Sequence, residues 1–315
     1  MTVARFRRIR QYDCAKFDIV DDIGVRTSVH HANLTAAAML ARNSIFCMAT
    51  LMAFANSAPA QTLNATGEID QYNHAIEAID AGHWAEAVDA LRQAVSANPK
   101  DADAHFQLGY AYQQLKRQEE AAGEFRQAIQ LAPGDGQAFF QLGWLSNELG
   151  KFAEATEVLK QAAHLLPDSA EIQAELGYAT LNLKRFDEAM AAYRQVVRLQ
   201  PDNARAHYLA GWAANVAGKF ADAVAALARA TGIEPNNAAA HSELGYAYRN
   251  LERYPEALAS YRRAVGIDPQ FAPAHHGLGA THLALSDKPA ARQELKLLQM
   301  LDADWAKRLA DAIGR

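Results

Sequence analysis

Three residue types recur along this chain at every thirty-fourth position, and this repetition constrains the fold more than any other feature. Glycine recurs six times between Gly109 and Gly279, and proline recurs six times between Pro99 and Pro269. Alanine recurs seven times between Ala87 and Ala291. Agreement of three separate residue types in one phase is not a chance event, and self-similarity at such a period is typical of stacked repeats. The chain is therefore predicted to consist of copies of one structural unit.

Seven copies of the unit fit between Glu68 and Trp305. Residues 61–67 are then expected to form a short linker, and residues 306–315 a short capping helix. Terminal units are expected to deviate from the pattern because they cover the ends of the stack. The predicted units are 68–101, 102–135, 136–169, 170–203, 204–237, 238–271 and 272–305.

Each unit is expected to form two α-helices. In the fourth unit, Ile172, Leu176 and Ala179 recur at helical spacing. A second helix is predicted to start near Phe186. Pro201 closes the unit, because proline lacks the N–H that a helical turn needs and disfavours helix in the residue before it. The predicted fold class is all-α, an α-solenoid of helix pairs.

The repeated residues resemble those of a known family. In the second unit, Leu108 and Gly109 are followed by Tyr112, Phe125 and Pro133 at the spacing of the tetratricopeptide repeat. The resemblance extends over all seven units. It implies a right-handed superhelix whose first helices line a concave groove, and it says little about activity.

The segment before the repeats is expected to direct export. Residues 44–55 form an apolar run of 12 residues, and Ala58-Pro59-Ala60 follows it. Such a run is typical of the apolar region of a signal peptide, and the alternating small residues are typical of its cleavage site. Residues 39–60 are therefore predicted to be a signal peptide cleaved after Ala60, which places the protein in the periplasm or outside the cell. Residues 1–38 are either a mis-assigned start or a genuine extension, and an apolar helix docked on the body is the alternative to a signal peptide.

Charge and motifs restrict the chemistry of the body. The chain has 31 basic and 36 acidic residues, a net charge of −5, and residues 61–315 have 24 and 32, a net charge of −8. No nucleic-acid partner is expected, because such a protein needs a basic stripe. Both cysteines, Cys14 and Cys47, precede the repeats, and the repeats contain no signature of a zinc protease, serine hydrolase or P-loop NTPase. We expect no catalytic residue, no metal, no cofactor and no transmembrane helix in the mature body.

Four histidines share the fourth position of their units, but their spacing argues against a metal site. Packed helices lie about 8–10 Å apart, whereas a zinc–nitrogen bond measures ~2 Å. The expected role is a half-buried imidazole that replaces a larger ring. These histidines are His105, His207, His241 and His275.

Aromatic side chains on the first helices form the candidate binding surface. They occupy the fifth and ninth positions of the units, about 100° around the helix from the stripe that joins each helix pair. An exposed apolar surface of this kind usually marks an interaction site, although the ninth-position rings could instead pack between successive units. The candidate partner-binding residues are Tyr72, Phe106, Tyr110, Phe140, Trp144, Tyr178, Tyr208, Trp212 and Tyr246, with the polar neighbours Asn147, Asn182, Asn215, Arg249 and Asn250.

Trp144 and Trp212 are the preferred anchors, because tryptophan is enriched in binding hot spots. The sequence thus predicts an exported, non-enzymatic scaffold that binds an extended or helical protein segment and organises an envelope-associated complex. One alternative is an architectural protein that associates end to end, for which an apolar final helix would be diagnostic. A second is a carbohydrate-binding module in which the rings form a platform for sugars.

Overall fold

The computed structural model describes residues 59–314, and burial is described from residue 70. The predicted extension 1–38 and most of the predicted signal peptide lie outside the described residues. The described part is helical and contains no strand. Its helices are α1 (Pro59–Asp80), α2 (Trp84–Ala97), α3 (Ala102–Gln114), α4 (Gln118–Leu131), α5 (Gly136–Glu148), α6 (Phe152–Leu165), α7 (Ala170–Asn182), α8 (Phe186–Leu199), α9 (Ala204–Val216), α10 (Phe220–Ile233), α11 (Ala238–Asn250), α12 (Tyr254–Ile267), α13 (Ala272–Ala284), α14 (Lys288–Leu301) and α15 (Ala303–Ile313).

The first helices of the six units from Ala102 onward begin at the predicted residues. Five of them start directly after a residue whose side chain accepts a hydrogen bond from a backbone N–H of the first turn, at 2.9–3.3 Å. Such caps satisfy N–H groups that have no partner within the helix. These caps are Asp101, Asp135, Ser169, Asn203 and Asn237.

Each helix pair reverses direction through one residue with positive φ. This residue is glycine at Gly82, Gly150 and Gly218, where φ lies between +69° and +75°. The other four pairs use residues that have side chains, with φ between +58° and +64°. These four are Lys116, Lys184, Glu252 and Ser286.

The repeated glycine of the first helix allows the two helices of a pair to touch. A Cβ atom added at Gly177 would lie 2.7 Å from the Tyr193 ring, and one at Gly143 would lie 2.5 Å from Leu159. Second helices in turn contact the first helix of the next unit, so the core runs continuously between the two rows of helices. The predicted reason for the glycine, close approach of paired helices, is confirmed.

The two ends differ from the predicted boundaries. Helix α1 begins at Pro59, so residues 61–67 are helical rather than a linker; no proline follows in this segment to stop the helix. The predicted cleavage point after Ala60 falls in the first turn of α1. At the other end, Asp302 caps a helix that begins at Ala303, so the capping helix starts three residues earlier than predicted.

Helix α15 closes the last unit in the way that a further unit would. Leu309 is fully buried, and it lies against Gly279, where an added Cβ would be 2.5 Å from the leucine side chain. Trp305 and Ala306 are also buried. From residue 59 to residue 314, no helix combines the length and the apolar character needed to cross a membrane.

Candidate functional site

Rings at position nine pack against the ring that opens the second helix of the preceding unit. The ring centroids in these pairs are 5.8–6.1 Å apart, with interplanar angles of 70–79°. This edge-to-face arrangement contributes about 0.5–1.5 kcal/mol beyond the burial of apolar area. The position-nine rings are half-buried, so they join successive units and also contribute to the surface. The pairs are Trp84–Tyr110, Phe152–Tyr178, Phe186–Trp212 and Phe220–Tyr246.

Trp144 departs from this arrangement. The preceding second helix, α4, opens with Gln118 instead of a ring. No other ring of the described residues stacks on Trp144, which packs half-buried against the core of the first three units. Trp144 therefore lacks the ring contact through which Trp212 joins the preceding unit.

Rings at position five pack against the core, and one of them is buried. Phe106 packs on Phe125 with centroids 5.6 Å apart, and Phe140 packs against the adjoining core. Tyr208 is only 8% exposed, and burial raises the pKa of its hydroxyl. Burial, with Asp103 and Asp101 nearby, likewise raises the pKa of Tyr72 to about 12. Tyr208 is therefore a core residue rather than the exposed binding residue that its position in the unit predicts.

Asn147 and Asn215 join neighbouring units, contrary to the expectation that their side chains bond a bound backbone. Both are buried, with exposed fractions of 4% and 3%. The amide of Asn147 donates to the backbone oxygen of Glu175 at 3.1 Å and to its carboxylate at 2.8 Å. Asn215 makes the same two bonds to Glu243, at 3.0 and 2.8 Å. A buried amide requires such partners, and the next first helix provides them.

Sequence reasoning missed the two glutamates that bond Asn147 and Asn215. Burial raises the pKa of Glu175, while the bond from Asn147 and the charge of Arg205 oppose the rise. Burial raises the pKa of Glu243 to about 7, opposed by the bond from Asn215. The sequence signal was present, since each glutamate follows its asparagine by 28 residues. The pairing becomes visible only when the register of neighbouring first helices is known.

Three buried amide oxygens on the first helices have no hydrogen-bond partner among the described residues. They are Oε1 of Gln113, Oδ1 of Asn147 and Oδ1 of Asn215. All three residues occupy position twelve of their units, one turn after the ring at position nine. An unpaired buried acceptor costs about 1–3 kcal/mol. All three oxygens are shielded from the surface of the first helices.

The remaining polar candidates are engaged within their own helices. Asn182 donates to the backbone oxygen of Tyr178 at 2.9 Å, and Asn250 donates to that of Tyr246 at 2.8 Å. The guanidinium of Arg249 lies 5.4 Å from the centre of the Tyr246 ring. The amide N–H groups of the two asparagines are therefore less available to a ligand than the sequence suggested.

The C-terminal end of this face has a different character. His276 lies 4.6 Å from the Trp305 ring, and Arg308 lies over the same ring at 4.8 Å. Burial lowers the pKa of His276 to about 3, with Arg249 and Arg308 adding to the effect. The imidazole is therefore neutral and the two guanidinium groups supply the charge at this end.

The fourth-position histidines hold the end of the preceding unit. In all four, Nε2 lies 2.9–3.2 Å from the backbone oxygen of the proline that closes that unit. His105, His207 and His275 are 4–7% exposed, so they are buried rather than half-buried as predicted. The described residues contain no group of three or more potential metal-ligating side chains.

Family comparisons decide the class of the repeat. Two models described as tetratricopeptide repeat match residues 72–136 and 146–213, and one described as TPR repeat matches residues 245–286. Together they cover more than half of the chain. The chain is a tetratricopeptide repeat protein. The all-helical architecture and the predicted helix pairs agree with this assignment.

Solved tetratricopeptide repeat structures share the fold. The crystal structure of YrrB, described as a TPR protein with an unusual peptide-binding site, has a TM-score of 0.55 and 21% identity, over 60% of this chain and 98% of that one. A MamA crystal structure has a TM-score of 0.51 and 20% identity, over 55% of this chain and 94% of that one. MamA 41-end from Desulfovibrio magneticus RS-1 has a TM-score of 0.50 and 22% identity, over 54% and 96%. Identities this low show the fold alone, and no curated protein sequence matches significantly.

Proposed function

We propose that this tetratricopeptide repeat protein is a non-enzymatic scaffold that binds an extended protein segment along the face of its first helices. One observation carries the proposal: the same set of a tryptophan, an asparagine with an unpaired buried oxygen and a glutamate occurs twice. Trp144 and Asn147 lie one turn apart, and Asn147 bonds Glu175 of the next unit. The same set recurs two units later, as Trp212, Asn215 and Glu243.

The spacing of the two sets suits an extended ligand. Two units separate them, which corresponds to about 20 Å if each unit advances by one helix diameter. About six residues of extended chain span that distance at ~3.3 Å per residue. A segment with two apolar anchors about six residues apart could therefore place one on each tryptophan. YrrB, which shares the fold, is described as having a peptide-binding site, and this supports the proposal by analogy.

Peptide selection tests the proposal. Peptides are selected on residues 61–315 from a displayed library, and their affinities are measured for the parent, Trp144→Ala and Trp212→Ala. Each change is expected to weaken binding by about 2 kcal/mol or more, the hot-spot threshold. Tyr254→Ala is the control, because it removes a half-buried ring from a second helix. Equal affinity for all variants, or the same loss in the control, would count against the first-helix face as the site.

Export is part of the proposal. The apolar run at residues 44–55 and Ala58-Pro59-Ala60 support a cleaved signal peptide and a role in an envelope-associated complex.

Self-association is a second candidate, because one observation favours it. Large apolar side chains are exposed near the C-terminal end: Leu285 by 47%, Leu297 by 39%, Met300 by 75% and Leu301 by 36%. Three of these lie on α14, and clustered exposed apolar groups often mark an interface. Sedimentation over a range of concentrations should show dimers that Met300→Glu abolishes and Gln299→Glu leaves intact. A monomer at all concentrations would exclude end-to-end association.

A further inference from the structure

In two units, a glutamate carboxylate lies at hydrogen-bond distance from Nδ1 of the fourth-position histidine. In the second unit, Nδ1 of His105 lies 2.6 Å from Oε2 of Glu124. In the seventh unit, Nδ1 of His275 lies 2.7 Å from Oε2 of Glu294. The other ring nitrogen faces a backbone carbonyl in both cases. Each histidine is thus enclosed by a carbonyl on one side and by the chain's own carboxylate, 19 residues later, on the other.

The fifth unit has the histidine but not the carboxylate. Nε2 of His207 lies 2.9 Å from the backbone oxygen of Pro201, which holds the ring as in the other units. The residue at the position equivalent to Glu124 is Ala226. A cavity of about 240 Å³ lies between α8, α9 and α10, and both His207 and Ala226 line it. No side chain of the described residues hydrogen-bonds Nδ1 of His207.

The first unit supports the link between a short residue and a cavity. There the residue equivalent to Ala226 is Ala90, and the residue equivalent to His207 is Gln71. A cavity of about 480 Å³ is lined by both. Both cavities thus have a short residue at this position in their lining. The fifth unit differs from the first in having a buried imidazole in its wall.

The charges around the cavity of the fifth unit favour an anion. Arg194 and Arg229 line it, together with Asp222. Asp222 is already paired with Arg194 at 3.0 Å. One guanidinium, that of Arg229, and the imidazole of His207 thus remain to balance an incoming negative charge. The side chains of Arg194 and Asp222 are 52% and 48% exposed, so the cavity is open to solvent on their side.

We propose that the cavity between His207 and Ala226 is a binding site for a carboxylate group. The ligand occupies the place that Glu124 and Glu294 fill in their own units. The Nε2–H group of His207 donates a hydrogen bond to the backbone oxygen of Pro201, so Nδ1 is an acceptor in the empty site. A carboxylate also only accepts, so binding takes up one proton from solvent on Nδ1, and the resulting imidazolium donates from both nitrogens.

The size of the cavity limits the carrier of that carboxylate. Clefts for drug-sized ligands measure about 300–1,000 Å³, and this one is smaller. A small carboxylic acid, or the side chain of an aspartate or glutamate from a partner, has the right size. The site lies apart from the two tryptophan sets and does not depend on the proposed peptide binding.

Nuclear magnetic resonance of the histidine rings tests the site. The protein, labelled with ¹⁵N in histidine, is titrated with acetate and separately with acetamide, the neutral analogue of similar shape. His207→Gln assigns the ring signals. We expect saturable conversion of His207 to the doubly protonated form by acetate, with acetamide at least tenfold weaker. A blocked glutamate in a short neutral peptide forms the second arm, and the tighter of the two binders identifies the natural carrier.

Two variants act as internal controls. Ala226→Glu supplies the chain's own carboxylate, and it should convert His207 to the imidazolium form and abolish the response to acetate. Glu124→Ala should create the same site in the second unit and make His105 respond to acetate. If His207 in the folded parent does not respond to acetate, or responds equally to acetamide, the proposal is overturned. If Ala226→Glu fails to fold, the response of His105 to acetate in Glu124→Ala serves as the control on its own.

Discussion

Glu243 and Asn215 are distant in the sequence, and the structure brings their side chains to 2.8 Å. The burial of each residue depends on its hydrogen bond to the other. The asparagine needs a buried acceptor for its N–H groups, and the glutamate needs a donor to lessen the cost of burial. A single amide is a weak compensation for a buried negative charge. The raised pKa of Glu243 follows from this imbalance.

Replacement of Glu243 by glutamine should remove a pH dependence of stability. With its pKa raised from 4.5 to about 7, the folded chain holds a proton that the unfolded chain releases between these values. The stabilisation that the protonated Glu243 side chain gives to the folded state is complete below pH 4.5 and is lost as the pH rises through 7. Glu243→Gln should therefore stabilise the protein above that range, by at most about 3 kcal/mol.

Urea unfolding at several pH values measures this effect. Glu175→Gln is the matched control, because the charge of Arg205 opposes the rise in the pKa of Glu175. A smaller gain is expected there. Equal stability of the parent and Glu243→Gln across the whole range would show that the Glu243 carboxylate is better solvated than its contacts indicate.

The reversals within the helix pairs are the elements that the sequence pattern describes least well. Seven residues adopt positive φ, one in each unit, but only three of them are glycine. The left-handed conformation costs an L-residue with a side chain about 1–2 kcal/mol. The fold accepts this cost four times because packing of the flanking helices determines where the chain must turn.

Glycine at such a reversal should stabilise the protein. Glu252 has φ of +60° and is exposed, so Glu252→Gly relieves strain without removing a buried contact. We expect the free energy of unfolding to rise by up to about 1 kcal/mol, since the flexibility of glycine offsets part of the gain. Thermal or urea unfolding measures the change.

The opposite change at Gly218, where φ is +75°, is the control. Gly218→Ala should lower the free energy of unfolding by about 1 kcal/mol. At Gly232, inside α10 with open space around it, Gly232→Ala should raise it by a similar amount. A destabilised Glu252→Gly variant would mean that the side chain makes a stabilising contact in solution.

At the scale of the whole molecule, each unit contacts its neighbours, and the core is a continuous series of small interfaces. Stability in such an array is close to a sum of unit and interface contributions. Leu227 is fully buried against Gly211 in the fifth unit. Leu227→Ala should cost about 2–5 kcal/mol.

The damage from Leu227→Ala should stay local. Hydrogen exchange is expected to lose protection in units four to six and to keep it at both ends. Val216→Ala, in the same unit but 41% exposed, should change stability by less than about 0.5 kcal/mol. A uniform loss of protection along the chain would show a more cooperative molecule than nearest-neighbour packing provides.

The proposed export predicts a mature protein that begins at Gln61. The 12-residue apolar run and the small residues at Ala58 and Ala60 motivate this prediction. N-terminal sequencing of the protein from the extracytoplasmic fraction measures it. Recovery of the chain from the cytosol with Met1 intact would rule out both the cleavage and the proposed location.

The sequence by itself predicted the helix pairs, the residues at which the first helices from Ala102 onward begin, and the glycine that lets paired helices pack closely. These features could be predicted because they depend on local periodicity, and the same pattern occurs in seven copies of the unit. Gly177 illustrates this, because the need for a small residue at a helix crossing recurs along the stack. The terminal helices were less predictable, because each has a neighbour on one side only and its sequence departs from the repeated pattern.

Tertiary structure decided which polar side chains face another unit. Asn147 carries the same amide as Asn250, yet one bonds across to Glu175 and the other returns to its own helix. These outcomes depend on the register between helices that are distant in sequence. A period read along one chain does not contain that register, because it arises only when the side chains of neighbouring units compete for the same space.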